Sequence, residues 1–572
     1  MKIIHKLLFL TVLTIGVVSC KKDFLRETPE SFLSTSNTFQ TEADFTASIN
    51  NLYGLVRSHY YTVNDFTPFF YMYRTDGYLD MTISAPNLPG DVSPTGVVGF
   101  AWQPHYKIVA EANTIIGRLG ASSLTDAQKK SFEAKARFFR GFGYRALAYL
   151  YGGVPLVLEE VETPKTDFTR ATRKEVYTQI IQDLEFAAAN LPTIATVKDG
   201  EISIPAANHL LAEVYIADGQ YQKAVDAASA VITNPGIALM TARFGSQSTV
   251  TPGDVYWDLF RPKNQNRLSA NNREAIWVIQ IETDVPGGGG STTGGSQGGV
   301  YALERVHAPL VRDIRVTGQT QPLFLWPIGD YTGGRGVGFL APSPWFADSV
   351  WKNSNTDIRN ANHNFVRDFI ANNPASPFFG QVISTKNPPP GSYGFYGPQV
   401  PLVAGKAERA FYPYQSKATS VFAHPAALYV NPGSSDPIRK LELKTGAGGT
   451  YIDQYMFRLA ETYLLRAEAY LGLSKTAEAT ADINVVRARA SATPVAPGSV
   501  NIDYILDERL RELGVEEKRM LTLMRMGKWV DRTRRLNTFY TAQMQNHYNL
   551  WPIPFNEIEK NRTGKLEQNP GY

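Results

Sequence analysis

The sequence has almost no cysteine, because Cys20 is the only one among its 572 residues. A lone thiol cannot close an internal disulfide, so the fold must be stabilised by burial and by polar pairing. Zinc sites built from several thiolates are excluded for the same reason. The eight histidines lie at least 46 residues apart, so the chain has no HExxH pair either. The sequence therefore predicts no metal and no cofactor.

The chain also lacks an apolar run long enough to cross a membrane. Residues 7–18 form a run of about a dozen residues, whereas a membrane-spanning helix needs about 20. Lys2 and Lys6 precede this run, and the sequence Val-Val-Ser-Cys follows and ends at Cys20. This pattern is typical of a bacterial lipoprotein signal peptide. We predict that residues 1–19 are removed and that Cys20 carries the acyl anchor, of which palmitate is one chain. An ordinary secretory signal followed by a chance cysteine is the alternative.

A strong excess of charge is absent as well. The chain has 57 Lys and Arg and 53 Asp and Glu, and removal of Lys2 and Lys6 with the signal peptide leaves a net charge of +2. Proteins that bind the phosphate backbone of nucleic acids need a strongly basic surface. We therefore expect no nucleic-acid partner.

Helical periodicity is the main feature that the sequence does have. Residues 41–53, 102–119 and 126–149 place apolar side chains on one face of a 3.6-residue period. Thr41 is a candidate N-cap, and Asp44 is the acid at the third position of the helix. We expect a helix in each of these three segments.

Two further segments have the pattern of a tetratricopeptide-like helical hairpin. In residues 206–233, small alanines alternate with larger side chains, and Gly219 marks the corner. Residues 457–490 repeat the pattern, with Gly472 at the corner. The pattern predicts a mostly α fold, a tetratricopeptide-like helical-repeat scaffold that is interrupted in sequence. Two unrelated antiparallel hairpins are the alternative.

The segment between these hairpins, residues 235–450, is rich in Gly, Pro, Asn, Tyr and Trp and has few periodic stretches. We expect a short strand at residues 275–281 and a mobile excursion at the glycine-rich residues 287–299. The predicted organisation is one domain over residues 20–572. Residues 20–234 and 451–572 form its helical scaffold, and residues 235–450 form a loop-rich, ligand-binding insertion. Five of the eight tryptophans lie in this insertion: Trp257, Trp277, Trp326, Trp345 and Trp351.

Aromatic side chains on loops suit a carbohydrate ligand, because sugars present apolar C–H faces beside polar hydroxyl groups. Core packing is the competing explanation for each such side chain. The candidate ligand-binding residues are Tyr71, Tyr73, Asp76, Tyr78, Trp102, Tyr301, Trp326, Tyr331, Tyr393 and Tyr396.

Signatures of catalysis are scarce. The glycine-rich residues 333–338 lack the GK[ST] ending of a phosphate-binding loop. Carboxylates are plentiful, so a facing pair of the kind that glycosidases use stays open as an alternative. We expect the charged residues Arg458, Glu461, Arg466 and Glu468 to form ion pairs. We expect the basic cluster at residues 532–535 to lie on the surface.

Six parts of the sequence together resemble the SusD/RagB family of surface nutrient-binding lipoproteins. Their order and spacing follow the family across most of the mature chain. They are CKKDFL at residues 20–25, EAKARFFRGFGYRALAYLYGGVPLV at 133–157, GGRGVGFLAPSPW at 333–345, FRLAETYLLRAEA at 457–469, DINVVRARA at 482–490 followed by ERLRELGVEEK at 508–518, and the ending at 550–572 with WPIP and QNPGY.

The resemblance implies a lipid-anchored protein of the outer membrane that faces the cell exterior, captures oligosaccharide and caps a SusC-like TonB-dependent transporter. It implies that the helical repeats face the transporter, that the insertion holds the glycan, and that the protein is not an enzyme. Some relatives resemble peptide-uptake components, so capture of a peptide is an alternative, and a surface-anchored glycoside hydrolase is another. Lys21 and Lys22 depart from the acidic residues often found after the lipid site, so surface display follows from the family alone.

Overall fold

The structure is a computed structural model that describes residues 39–61, 69–293, 302–352, 354 and 356–572. The predicted signal peptide (residues 1–19) and the predicted lipidation site Cys20 lie outside the described residues. The same holds for Tyr301 and for residues 294–299 of the glycine-rich run.

The described chain is mostly helical, and its strands are short. The helices are α1 Glu42–Tyr60, α2 Leu88–Asp91, α3 Trp102–Arg118, α4 Asp126–Tyr151, α5 Arg173–Asn190, α6 Ile204–Ala217, α7 Tyr221–Ile232, α8 Val255–Asp258, α9 Arg267–Ala270, α10 Leu303–His307, α11 Pro344–Ala347, α12 Leu459–Gly472, α13 Thr476–Arg489, α14 Ile502–Leu513, α15 Arg519–Arg525, α16 Trp529–Leu536 and α17 Phe555–Lys560. The strands are β1 Tyr78–Asp80, β2 Ala275–Ile279, β3 Glu282–Thr283, β4 Gly289–Gly290, β5 Arg315–Val316, β6 Leu340–Pro342, β7 Phe365–Val366, β8 Asp368–Ile370, β9 Val382–Ser384, β10 Ser392–Tyr393, β11 Tyr414–Gln415 and β12 Gln454–Arg458.

The three predicted helices form as α1, α3 and α4, and their starts follow from local capping. Thr41 and Asp44 form a reciprocal capping box at the start of α1, as the sequence predicts. Thr125 and Gln128 form the equivalent box at the start of α4. Helix α4 ends at Tyr151, and Gly152 is its C-cap. Gly152 has a φ of 78°, a conformation that glycine adopts with little strain.

The helical hairpins pack into one continuous stack. Helix α3 packs on α4, α4 on α5, α5 on α6 and α6 on α7. Helix α12 of the second hairpin packs on both α7 and α13, so the two hairpins are neighbours in space although residues 235–450 separate them in sequence. This arrangement confirms the predicted mostly α, tetratricopeptide-like scaffold.

The glycine at the second corner has a different role from the predicted one. Gly472 is the last residue of α12, and the turn follows it at Leu473 to Lys475, where Ser474 takes a φ of 60°. A Cβ atom at Gly472 would overlap the ring of Tyr221 on α7. Gly472 is therefore needed for the close approach of the two hairpins, and the turn itself does not need it.

A strand from the insertion supplies part of the scaffold core. Strand β2 pairs antiparallel with β12, which leads directly into α12. Trp277 on β2 is buried, and its ring lies 5.5 to 6.0 Å from the rings of Phe138, Phe139 and Phe142 on α4. This tryptophan of the insertion is therefore a core residue of the helical stack.

A buried network of arginines and carboxylates joins the second hairpin, helix α14 and the insertion. Glu512 on α14 accepts hydrogen bonds from Arg359 of the insertion (2.9 Å), from Arg458 at the end of β12 (2.5 Å) and from Arg489 at the end of α13. Arg458 also pairs with Glu274, just before β2, at 2.9 Å. All five of these side chains are at most 1% exposed.

The other predicted ion pairs also form, but with partners from neighbouring helices. Glu461 pairs with Arg509 at 2.6 Å, Arg466 with Asp482 at 2.7 Å, and Glu468 with Arg525 at 2.7 Å. These pairs tie α12 to α14, α13 and α15, so they stabilise the stacking of helices more than α12 itself.

The basic cluster at residues 532–535 is only partly surface charge, so that prediction is wrong for its first arginine. Arg532 is buried and donates to Asp76 (2.8 Å), Asp503 (2.9 Å) and Asp507 (2.6 Å). Arg535 is half exposed and fits the prediction. A single residue type in one short run therefore occupies both environments, because only one turn of α16 faces the core.

The C-terminal tail is fixed to the end of α4 by amide side chains. Asn569 donates through Nδ2 to the carbonyl oxygens of Tyr151 (2.9 Å) and Trp551 (2.6 Å). Gln568 pairs with both backbone polar groups of Ile553. The two parts of the ending that resemble the SusD/RagB family, WPIP and QNPGY, are thus bonded to one another.

Replacement of Glu512 tests the buried network. We expect Glu512→Gln to lower the free energy of unfolding by about 3–5 kcal/mol, since it removes a buried negative charge that three guanidinium groups share. Asp531→Asn is the matched control, because Asp531 pairs with Arg535 at the surface and should cost less than about 1 kcal/mol. Urea unfolding followed by circular dichroism measures both. Equal losses for the two variants would contradict this role of Glu512.

Asp76 predicts a defined pH dependence of stability. Burial alone would raise the pKa of Asp76, but Arg519 and Arg532 outweigh burial and bring this pKa to about 2. Because the folded pKa lies below the unfolded value of about 3.9, Asp76 stabilises the fold above pH 4 and loses this effect as the pH falls towards 2. The difference in unfolding free energy between the wild type and Asp76→Asn should therefore shrink by about 1 kcal/mol between pH 6 and pH 3. A difference that grows on acidification would contradict the assignment.

Candidate functional site

The first four candidate residues lie in the core of the protein. Tyr71 is fully buried, and its hydroxyl lies 2.6 Å from Nε2 of His59. The ring of Tyr73 is buried and stacks on Phe69 at 4.3 Å. Tyr78 accepts a hydrogen bond from the backbone N–H of Val515 at 2.8 Å. Asp76 is committed to its two arginines. Core packing, the competing explanation, is what the structure shows for this group.

Trp102 lies in a cleft of the helical scaffold. The cleft has a volume of about 440 Å³ and is formed by α3, residues 155–168 and the C-terminal tail around α17. Two of its polar side chains already bond within the protein: Tyr106 donates to the carbonyl oxygen of Pro155, and Asn113 donates to that of Val157. None of the residues that line the cleft comes from the insertion. The structure therefore does not bring Trp102 together with the later candidates.

The glycine-rich residues 333–338 are a packed structural loop. A Cβ atom at Gly334 would overlap the carboxylate of Glu304, and one at Gly336 would overlap the carbonyl oxygen of Ala308. Gly334 also has a φ of 60°. Glu304 accepts a hydrogen bond from the backbone N–H of Arg335 at 2.7 Å. Its carboxylate also lies 2.8 Å from Nε2 of His424. The glycines let this loop lie directly on α10, and the loop sets the position of Arg335.

Trp326 lies next to this loop, where guanidinium groups cover its ring. The guanidinium carbon of Arg312 lies 4.2 Å from the ring centroid, and that of Arg335 lies 5.5 Å from it. Trp326 is half-buried. Its indole Nε1 has no hydrogen-bond partner among the described residues.

Tyr393 and Tyr396 lie near further arginines of the insertion. Strand β10 pairs with β5, which places Tyr393 opposite Arg315, and Arg315 donates to the carbonyl oxygen of Arg312 at 3.1 Å. The ring of Tyr396 lies 5.2 Å from that of Phe395, which is 43% exposed. The guanidinium of Arg409 lies 4.3 Å from the centroid of Phe395.

These contacts form two clusters of rings and guanidinium groups, which the chain between Tyr393 and Phe395 connects and which we together call the arginine–aromatic belt. Val316 and Ala410, the neighbours in sequence of Arg315 and Arg409, belong to a second hydrophobic core, built from residues of the insertion and from Met81. The belt consists of Arg312, Arg315, Trp326, Tyr393, Phe395, Tyr396 and Arg409.

Tyr331 and Phe422 form another aromatic pair of the insertion. Tyr331 packs on the same core, its ring lies 5.3 Å from that of Phe422, and burial raises the pKa of Tyr331 to about 12. The hydroxyl of Tyr331 has no partner among the residues that the structure describes. Phe422 is 38% exposed and has a φ of 55°, a conformation that costs a bulky residue about 1–2 kcal/mol. Strained, exposed aromatic residues concentrate at binding sites.

The carboxylates near the belt are turned towards the protein. Glu408 is buried, and its oxygens accept from the backbone N–H groups of Ala410 (2.6 Å) and Tyr396 (3.1 Å). Burial raises the pKa of Glu408. Asp330 accepts from the backbone of Thr332, and Glu304 is held by His424 and the glycine loop. These three acids shape the loops, and Asp313 is the acid that pairs with an arginine of the belt, Arg312, at 3.5 Å.

The structure therefore groups Trp326, Tyr331, Tyr393 and Tyr396 of the predicted set. The sequence analysis missed the arginines and Phe395 of the belt, because a search for aromatic platforms passes over charged residues. The recurrence of arginine at 312, 315, 335 and 409 among these aromatics is the signal that could have identified them.

Two further features of the described residues bear on the site. No three side chains of the His, Cys, Asp and Glu types come together there in a way that could hold a metal ion. No described helix is both long enough and apolar enough to cross a membrane.

Substitution of Gly334 tests the packing of the glycine loop against α10. Gly334→Ala should lower the unfolding free energy by about 3 kcal/mol, from backbone strain together with overlap on Glu304. Gly405→Ala is the control, because Gly405 has a similar φ of 71° in the same insertion but open space around it. It should cost only about 1 kcal/mol. Thermal unfolding of both variants measures the difference, and similar losses would contradict the packing argument.

Comparison with known proteins gives a consistent result. The sequence profile described as "SusD family" matches residues 273–572, and the profile described as "Starch-binding associating with outer membrane" matches residues 23–216. SusD-like protein P25 of Formosa agariphila is 23% identical over 592 aligned positions, which cover 98% of this chain and 97% of that protein. The starch-binding protein SusD of Bacteroides thetaiotaomicron is 35% identical, but over 121 positions that cover 20% of this chain and 21% of SusD.

Solved structures share the fold. A laminarin-binding SusD-like protein superposes with a TM-score of 0.61 at 21% identity, covering 93% of this chain and 100% of its own. Surface glycan-binding protein A from Bacteroides thetaiotaomicron gives a TM-score of 0.65 at 19% identity, covering 93% of this chain and 99% of its own. At these identities the similarity extends to the arrangement of the helices and the insertion and does not fix the ligand.

Proposed function

Since this chain belongs to the SusD family, we propose that it captures oligosaccharide at the cell surface and delivers it to a SusC-like TonB-dependent transporter. Cys20 carries the lipid that anchors it in the outer membrane, and the protein faces the cell exterior. The helical stack faces the transporter, and the insertion holds the glycan.

The observation that carries the proposal is the arginine–aromatic belt. Its aromatic rings are partly exposed on one surface of the insertion, and its guanidinium groups offer hydrogen-bond donors beside them. Flat apolar surfaces with planar donors match the apolar faces and hydroxyl rims of sugars. The names of the similar proteins, which mention starch, laminarin and surface glycans, agree with a carbohydrate ligand.

We further propose that the protein binds its glycan without cleaving it. A glycosidase needs two carboxyl groups that flank the scissile bond about 5–10 Å apart. At the belt, Glu408 and Asp330 are held by backbone N–H groups, and Glu304 by its histidine and the glycine loop. These three carboxylates therefore act as hydrogen-bond acceptors that hold the loops in place. The experiments below distinguish this function from hydrolysis and from capture of a peptide.

Affinity electrophoresis tests the site. The chain without residues 1–20 should be retarded in native gels that contain its polysaccharide, and Trp326→Ala should weaken the affinity by about tenfold or more. Phe379→Ala is the matched control, because Phe379 is an exposed aromatic residue (48%) of the insertion outside the belt. It should leave the affinity unchanged.

Incubation with the retarding polysaccharide, followed by a reducing-sugar assay, separates binding from hydrolysis. No release of sugar is expected. Release of sugar would favour the anchored hydrolase, and retardation by no polymer in a broad panel would favour a peptide ligand. Co-purification of a large β-barrel protein with the full-length, membrane-extracted chain tests the delivery step, and its absence would contradict that step.

A further inference from the structure

We propose that the glycan bound at the arginine–aromatic belt is anionic, with carboxylate or sulfate groups on its sugars. This inference rests on the proposed function, and it adds the chemical class of the ligand. It follows from what covers the rings, from what the arginines bond to, and from where the nearby acids point.

Two rings of the belt, Trp326 and Phe395, each have a guanidinium group over one face. Arg312 lies over Trp326 at 4.2 Å, and Arg409 lies over Phe395 at 4.3 Å. A neutral sugar stacks its C–H face directly on an uncovered ring. Here a flat guanidinium group occupies a face that such a sugar would use. The ligand therefore meets a layer of planar cations backed by aromatic rings.

The belt arginines keep donors available for a ligand. Arg315 donates through Nη1 to the carbonyl oxygen of Arg312, and Arg409 donates through Nε to the carbonyl oxygen of Val337. Arg312 has a side chain that is 46% exposed. A guanidinium presents its donors as a planar fork, which fits the two oxygens of a carboxylate or a sulfate.

The belt arginines outnumber the surface carboxylates that pair with them. Glu408, Asp330 and Glu304 point inwards and are satisfied as described above. Asp313 pairs with Arg312, whereas Arg315 and Arg409 form no ion pair with a carboxylate among the described residues. The charges of Glu408 and Asp80 lie close by but are buried. The whole chain carries a formal charge of only +4, so this concentration is local to the belt. Local charge of one sign raises the concentration of ligands of the opposite sign.

Quantitative affinity electrophoresis with matched polymers tests the inference. The probes are two anionic polysaccharides, polygalacturonate (carboxylated) and κ-carrageenan (sulfated), and two neutral ones, laminarin and dextran. We expect retardation by an anionic polymer and none by the neutral ones. The affinity should fall about tenfold or more as the ionic strength rises from about 0.01 to 1 M, because salt screens exposed charges.

Charge-removing variants locate the effect. Arg312→Gln and Arg409→Gln should each weaken binding of the anionic polymer by about tenfold, since each removes charge-assisted hydrogen bonds. Arg439→Gln is the control, because Arg439 is a similarly exposed arginine of the insertion that pairs with Glu442 outside the belt. It should leave the affinity unchanged. An unaltered melting temperature shows that each variant is folded.

The outcomes separate this inference from the proposed function. Binding of laminarin or dextran that is insensitive to salt would overturn the inference and leave glycan capture intact. Anionic binding that is weakened equally by all three variants would show non-specific attraction and would also overturn it. Retardation by none of a broad glycan panel would contradict the proposed function itself.

Discussion

The architecture depends on the buried pairing of arginines with carboxylates around Glu512. This side chain receives Arg359 from the insertion, Arg458 from the entry to the second hairpin and Arg489 from its end. Moving such charges out of water costs several kcal/mol per ion, so each one must find a partner for the chain to fold. The network therefore forces residues distant in sequence into one arrangement. It holds the second hairpin and the insertion together, although residues 235–450 separate the two hairpins in sequence.

The proposed binding surface depends on that arrangement. Arg359 fixes the insertion to α14, and β2 returns from the insertion to complete the core around Trp277. Within the insertion, tight contacts of glycine backbone replace regular secondary structure: the loop at residues 333–338 lies on α10 and sets Arg335 against Trp326. A surface built on long loops thereby acquires fixed positions for its aromatic rings and guanidinium groups, which a binding site needs.

Much of the scaffold could be predicted from the sequence, because its signals are local. Periodic apolar faces, the capping box at Thr41 and the alanine-rich hairpins report on neighbours within a few residues. Burial of a polar or aromatic side chain depends instead on the tertiary fold. The sequence of Tyr71, Tyr73 and Tyr78 near Asp76 resembles a sugar site as closely as a core segment, and only the positions of Val515, Arg519 and Arg532 show that it is the core. The same holds for Gly472, because any side chain there would overlap the ring of Tyr221 on another helix. The arginines of the belt became meaningful only once the fold had placed them over aromatic rings.

We infer that the helical stack carries its ligand on the arginine–aromatic belt of the insertion. Hydrogen–deuterium exchange of the mature chain, with and without a saturating concentration of the polysaccharide that retards it, tests this claim most directly. We expect amide hydrogens to exchange more slowly on binding in peptides that contain residues 310–316, 324–332 and 392–410, with no change in α3 to α7. Protection confined to residues 69–80 or to the cleft at Trp102, with the belt unchanged, would contradict it.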